Sequence, residues 1–360
     1  MIMNYNAIKI DKGVNMEVKA PNRNGIVDIY RMIGSIVIFF FHSYHLDNVT
    51  IYPFCNGFVF VEMFFLLTGY FTVSHFEEVK KEAGKSKSLN AIIEACKYTI
   101  KKFSFFLPYT FITVITSLLI RHCIILKDFE YTMIVKALLE SLMLIRGDSN
   151  VGVIWYLTTM LPIFPLFCFL CRKCNLRFVI IIAIFYNCIF HGFFRYFGSF
   201  APRSYTRAMA GMFLGVITYG IANYIKRSNV QNIKWLTIIS GSFLTVPLIL
   251  SSIRDNAIWV YVNIAFFILG FSIVFSEKIY KIQSSRIANF CREYSFCIYL
   301  THLGCLEFVS YISKRVCRLS IMEQYALAVL CTALTSFLLR ITVTIVKKNK
   351  IKIFNKFLNK

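Results

Sequence analysis

Residues 28–45 read DIYRMIGSIVIFFFHSYH, a run apolar enough for a membrane span, with an arginine near its start and two histidines at its far end. Ionisable groups at membrane depth are costly to bury, so they point to a working site. Arg31 and His42 are eleven residues apart, which at about 100° per residue returns them to within roughly 20° of one helical face. His45 falls roughly 40° to the other side, and Asp28 lies near the same stripe. One stripe of this predicted helix is polar and the remainder suits lipid.

The composition places the whole chain in the same solvent. Of 360 residues, 57% are hydrophobic, 17% aromatic and 16% charged, and the mean hydropathy is +0.62. A soluble domain has no use for that much apolar surface, so the fold class is all-α, a polytopic integral membrane protein. The net charge of +22 reads as the basic bias of segments beside an anionic leaflet, and no nucleic-acid partner is expected. The twelve cysteines include one CxxC, Cys171 to Cys174. It lacks a second half, and neither a metal site nor a redox motif is expected. No cleavable leader is expected either, because the first 27 residues are polar.

Apolar stretches of spanning or near-spanning length fall at 27–46, 57–76, 104–126, 151–171, 177–194, 205–225, 234–253, 257–276, 293–313 and 323–346. That predicts about ten helices. A further stretch from Tyr131 to Ile145 carries helical periodicity and reads as an amphipathic re-entrant or interfacial helix. With the N-terminus inside, twenty-eight Lys and Arg residues fall on the cytoplasmic side and eleven on the other, with Arg340 inside the last span. Both termini are therefore expected in the cytoplasm of a multi-pass plasma-membrane protein. The organisation is a polar N-terminal segment (1–24), one membrane domain (25–346) and a basic tail (347–360). The longest cytoplasmic loop is expected between Phe76 and Lys102. The Arg/His pattern of the first helix does not recur in a second half, which weighs against an inverted-repeat transporter.

His42 is the leading candidate for chemistry, since imidazole titrates near neutral pH and suits general-base work; the plainer alternative is a histidine hydrogen-bonded within the bundle. The axial rise from Arg31 to His42 is roughly 16 Å, too far for a dyad. If both serve one reaction, they touch a long ligand at two points, Arg31 gripping an anionic end with its fork and His42 meeting the reacting tip. A coenzyme A thioester has that shape. Arg31 as a snorkelling anchor is the competing reading. Glu62, inside the second span, must be paired or protonated, and a histidine or arginine of the first helix is the expected partner. Gly69 is expected to permit close helix approach.

These residues carry a resemblance. Asp28, Arg31 and His42, followed by the run from Glu62 through Met63, Phe64, Phe65, Leu66, Leu67, Thr68 and Gly69 to Tyr70, resemble the opening of acyltransferase family 3, ten-helix bacterial membrane acyltransferases that modify surface polysaccharides. Further pieces agree in order: Lys101 and Lys102 before Leu107-Pro108-Tyr109, then Ile154-Trp155-Tyr156-Leu157, Ala210-Gly211 through Gly215, and Ser295 through Tyr299-Leu300-Thr301-His302. The similarity spans residues 24 to 345, nearly the whole chain. It implies that His42 is the catalytic histidine and Arg31 its motif partner. Two departures stand out. Lys102 and Phe105 occupy places where the family often has arginines, and Thr68 replaces a common serine.

The expected activity is therefore acyl transfer, acetyl by preference, from acyl-CoA to a hydroxyl of a cell-surface glycan or its lipid-linked precursor. His42 would be the base, directly, through a relay, or as a covalent acyl-histidine, with Glu62 beside it. Arg31, Lys101 and Lys102 would hold the donor's phosphates, and no permanently bound cofactor is expected. A polysaccharide exporter or flippase and a non-catalytic membrane subunit are the alternatives. His302 is expected to pack or hydrogen-bond, and His75, His122 and His191 to lie at helix ends. Arg195, Arg203 and Arg207 are expected to meet lipid headgroups, with an anionic glycan as the alternative. Pro162 and Pro165 are expected to break the fourth span.

Overall fold

The computed structural model describes residues 24–50, 52–83, 88–126, 130–143, 152–190, 203–228, 232–253, 257–279 and 285–358. The polar N-terminal segment up to residue 23, His191, Arg195 and the side chains of His122 and Arg203 lie outside the described residues. Eleven α-helices are formed among them: α1 (Gly25–Phe41), α2 (Val59–Ala83), α3 (Ser88–Leu118), α4 (Tyr131–Ser141), α5 (Trp155–Lys173), α6 (Leu176–Ile189), α7 (Arg203–Arg227), α8 (Ile233–Leu250), α9 (Ala257–Phe275), α10 (Arg286–Arg315) and α11 (Ile321–Leu358). No strand occurs among the described residues. Ten of the eleven coincide with the predicted spans, and α4 is the predicted amphipathic helix. Eight are long and apolar enough to cross a membrane, while α6 and α9 are shorter apolar helices. This is an all-α, multi-pass membrane protein.

Burial is distributed as lipid demands. Isoleucine, leucine and phenylalanine side chains of α6, α8 and α11 point outward, among them Phe185 at 66% and Leu338 at 60% exposure. Polar side chains such as Asp28, Thr72, Thr218, Ser272 and His302 are inside. Many hydroxyls buried on helices bond to the carbonyl one turn back, as Thr72 does to Thr68 and Thr218 to Leu214, which satisfies them without water. The side-chain amide of Asn263 and the hydroxyls of Thr113 and Thr332 are buried with no such partner among the described residues. Asn24, Asn175, Asn232 and Ser285 accept from backbone amides at the starts of α1, α6, α8 and α10, the caps that free helix N-termini require. The outward face of α4 is apolar (Ile134, Val135, Leu138). Its last turn meets α3 where Thr110 donates to the Ser141 carbonyl at 2.8 Å, about 12 Å along the helix from the C-terminus of α3.

Two parallel helix pairs set the frame. In the first, α2 lies on α7 with almost no space between backbones. A Cβ on Gly69 would sit 2.0 Å from the Met212 carbonyl oxygen, and one on Gly215 would sit 2.2 Å from that of Leu66. Only glycine fits at either place, as the close-approach reading of Gly69 requires. In the second, α1 lies on α10. Ser35 donates to the Ser295 carbonyl at 2.8 Å, a cross-helix bond that pins the register.

Three expectations need correction. The segment from Phe76 to Lys102 is mostly helix, since α2 continues to Ala83 and α3 begins at Ser88. Its Lys, Glu and Ala residues are strong helix formers, so charge ends the apolar span without ending the helix. Pro162 and Pro165 sit within an unbroken α5, which α2, α3 and α7 pack around. Finally, α1 stops at Phe41, and His42 to His45 form a tighter 3-10 turn. Ser43 donates to the Phe40 carbonyl at 2.7 Å and accepts from the Tyr325 hydroxyl at 2.9 Å, and such local bonds compete with the α-helical ladder.

Candidate active site

The α1–α10 register decides what faces His42. Two turns beyond the Ser35–Ser295 bond, the two helices bring His42 and His302 together. The Nδ1 of His42 is 3.2 Å from the Nε2 of His302, and the ring centroids are 5.2 Å apart. His302 is fully buried, with its Nδ1 at 2.8 Å from the Tyr299 carbonyl and 3.2 Å from that of Ile298. His42 is half-buried, with its Nδ1 3.0 Å from the Ile38 carbonyl. His45 is turned against Tyr44, ring centroids 4.4 Å apart, and stands 6.3 Å from the His42 ring.

The segment after His42 is clasped from outside. The Asp47 amide donates to Gln324 at 2.8 Å, Gln324 returns a bond to the Asp47 carbonyl at 3.2 Å, and Ser313 donates to the Asp47 carboxylate at 3.4 Å. Phe39, Leu46, Val49, Leu306, Val309 and Ala328 close an apolar cluster beneath it. The helix end that carries His42 is thus tied to α10 through Ser313 and to α11 through Gln324 and Tyr325.

From His42 toward the opposite end of the bundle runs an aromatic wall. Tyr299 stands 6.0 Å from the His302 ring and 6.1 Å from Tyr156, and Phe64 lies 5.8 Å from Tyr299 and 6.3 Å from Tyr156. The Tyr299 hydroxyl donates to the Val153 carbonyl at 3.0 Å, and the Tyr156 hydroxyl is 3.2 Å from that of Thr68. Tyr156 lies within electrostatic reach of both Arg31 and Glu62.

At the far end of this wall are two enclosed cations. The Arg31 side chain is 14% exposed, 3.7 Å from Asp28, with its guanidinium 5.3 Å from the Phe71 ring. That Asp28 distance exceeds the 2.7–2.9 Å of a charge-assisted hydrogen bond. Lys102 reaches inward over Phe164 (4.7 Å) and Tyr98 (5.9 Å) and is within electrostatic reach of Arg31. His75 stacks on Tyr98, ring centroids 4.6 Å apart. No acid pairs with Lys102 among the described residues. Among the described residues the carboxylate paired with either cation is Asp28, 3.7 Å from Arg31, and two cations with one loosely paired carboxylate inside an apolar bundle favour a bound anion.

Of the predicted donor-holding residues, Arg31 and Lys102 come together and Lys101 does not. Lys101 is exposed, because neighbouring helix residues point about 100° apart. Where Phe105 stands in place of a basic residue, the ammonium of Lys347 from α11 lies 3.8 Å over its ring. Arg340 bonds to Tyr109 at 3.3 Å and pairs with Glu293 at 3.4 Å.

Glu62 is paired, but not with α1. Its partner is Arg207 of α7, which also reaches toward the Phe58 carbonyl at 3.5 Å and lies over Trp155 at 5.2 Å. This pairing corrects the expectation that Arg207 meets headgroups; the signal for it in the sequence is the Gly211/Gly215 pair nearby. Those glycines draw α7 onto α2, and that contact, not proximity in sequence, selects the carboxylate's partner. His302 packs and hydrogen-bonds, as its place in an apolar span leads one to expect, and to those bonds is added a contact to His42 that no local pattern reveals.

A family model described as an acyltransferase domain matches residues 24–344. No curated protein and no solved structure matches the chain.

Proposed function

The chain belongs to the acyltransferase family whose domain covers residues 24–344, and from that membership we propose that it carries an acyl group, acetyl by preference, from cytoplasmic acyl-CoA to a hydroxyl of a cell-surface glycan or its lipid-linked precursor. It would act in the plasma membrane with both termini in the cytoplasm. The observation that carries this reading is the two-ended interior: Arg31 and Lys102 enclosed at one end, His42 half-buried at the other, and the Phe64, Tyr156 and Tyr299 wall between them. A donor with phosphates at one end and a thioester at the tip of a long arm has the matching distribution of charge.

In this reading Arg31 and Lys102 hold the phosphates, and the aromatic wall sheathes the arm and keeps water from the thioester. His42 takes the proton of the acceptor hydroxyl while that oxygen bonds to the acyl carbon. The carbon–sulfur bond breaks, the proton passes from His42 to the departing thiolate, and the products are an O-acyl ester and free CoA thiol. Glu62 neutralises Arg207 and holds α2 to α7 beside Tyr156.

Membranes containing the protein, incubated with acetyl-CoA radiolabelled in the acetyl group, are expected to pass label into glycan, and membranes lacking the protein are not. Equal labelling with and without the protein would refute the proposal.

A further inference from the structure

We propose that His302 is a positioning residue that sets the tautomer of His42, holding the His42 proton on Nδ1 and leaving Nε2 bare to act as the base. The role rests on the reading of His42 as that base, but the geometry behind it does not depend on any substrate.

The argument starts from what a carbonyl oxygen can do, which is only accept. The Nδ1 of His302 is 2.8 Å from the Tyr299 oxygen and 3.2 Å from the Ile298 oxygen. A bare nitrogen there would set its lone pair against those of two oxygens, so this nitrogen carries the proton. A neutral imidazole has one N–H, and the Nε2 of His302 is therefore an acceptor. It faces the Nδ1 of His42 at 3.2 Å. That contact is favourable only if His42 donates. The Ile38 oxygen, 3.0 Å from the same nitrogen, asks for the same proton. The two demands agree: His42 Nδ1–H is shared between Ile38 and His302, and its Nε2 has no proton.

His302 adds something that Ile38 cannot. Ile38 lies one turn back on the same helix, and a single carbonyl leaves the ring free to turn about it. His302 comes from α10, is fully buried, and is fixed by two carbonyls of its own. It therefore pins the His42 ring in orientation as well as in tautomer. When His42 takes a proton on Nε2, its Nδ1–H still points at two acceptors, and hydrogen bonds to the charged form are the stronger kind. The logic is that of a serine protease's third residue, with a neutral imidazole in place of a carboxylate.

The test uses the full-length protein in lipid bilayers with 13C,15N-labelled histidine. Solid-state NMR distinguishes the two neutral tautomers, and the His42 signal is assigned by its loss in His42→Ala. The expected result is His42 protonated on Nδ1 in the wild type and moved to Nε2–H, or to a mixture, in His302→Leu. In acetyl transfer, His302→Leu is expected to lower kcat by about 10- to 100-fold, with the KM for acetyl-CoA changed less than about twofold, since the donor-holding end is untouched. His302→Gln, whose amide oxygen can accept from His42, should recover most of that loss. A wild-type His42 protonated on Nε2 would overturn the proposal, as would an unchanged His42 tautomer and kcat in folded His302→Leu. Because the Ile38 oxygen also favours Nδ1–H, the wild-type spectrum alone can refute the proposal but not carry it. If His302→Leu does not fold, His302→Phe, which keeps a ring without an acceptor, supplies the comparison. Because the spectra need no substrate, a failure of the acyl-transfer reading is told apart from a failure of this one.

Discussion

Replacing Arg31 with lysine separates a cation that grips the donor from one that merely anchors a helix. Lysine keeps the charge and would serve as well at an interface, but it loses the planar fork that matches a phosphate. In the structure the Arg31 side chain is 14% exposed, with Asp28 at 3.7 Å and the Phe71 ring at 5.3 Å. A residue so enclosed is poorly placed to snorkel, and its weak tie to Asp28 leaves most of its donor capacity for a ligand. The loss is then one hydrogen bond to a charged group, about 1.5–3 kcal/mol, which is roughly a tenfold to hundredfold rise in KM. The assay is the initial rate of acetyl transfer in membranes against acetyl-CoA, repeated with an acetylated pantetheine that lacks the nucleotide. KM should rise for the full donor and change less than about twofold for the truncated one. Unchanged KM and kcat for both donors, or an equal rise for both, would refute the assignment of Arg31 to the phosphates.

Other expectations follow from particular contacts. His42→Ala should insert and fold but lose acyl transfer by about a hundredfold or more, while loss of the His45 ring, which rests on Tyr44, in His45→Ala should cost far less; equal losses in assays with labelled acetyl-CoA would move the role to the pair. Gly69→Ala would drive a Cβ to 2.0 Å from the Met212 oxygen, so α2 and α7 must part, at a cost at or above the about 1–3 kcal/mol of ordinary overpacking. Gly241→Ala, with nothing within 4 Å, is its control and should be neutral or slightly stabilising; melting curves in detergent that shift alike for both would contradict the close approach. Reporters fused after Lys360 and within 80–90 should read cytoplasmic and one within 47–56 external; the reverse pattern would put the donor site on the wrong side.

The elements of this protein were written locally. A bilayer rewards long apolar runs and punishes unpaired backbone, so each span of α1 to α11 could be located from hydropathy and length alone. The α4 segment could be placed from its helical period. His42 and Arg31 stood out for the same reason: in an apolar medium an ionisable group is conspicuous wherever it falls. Helix ends were less legible, because Lys, Glu and Ala continue a helix past the membrane without any apolar signal, as α2 and α3 do around residues 76–102.

What no local pattern could supply is which distant residue stands opposite. Glu62 had several cations to choose from, and glycines on α2 and α7 chose Arg207 by removing the side chains that would have kept those helices apart. Lys101 and Lys102 are neighbours in sequence, yet one is exposed and the other lies over Phe164. His302 lies 260 residues from His42. Spacing within a helix is dictated by the geometry of one turn, and it places residues on a stripe. Contact between helices depends on the fit of whole surfaces, and here the parallel seat of α1 on α10, pinned by Ser35 on Ser295, decides that the histidine on that stripe meets a second one.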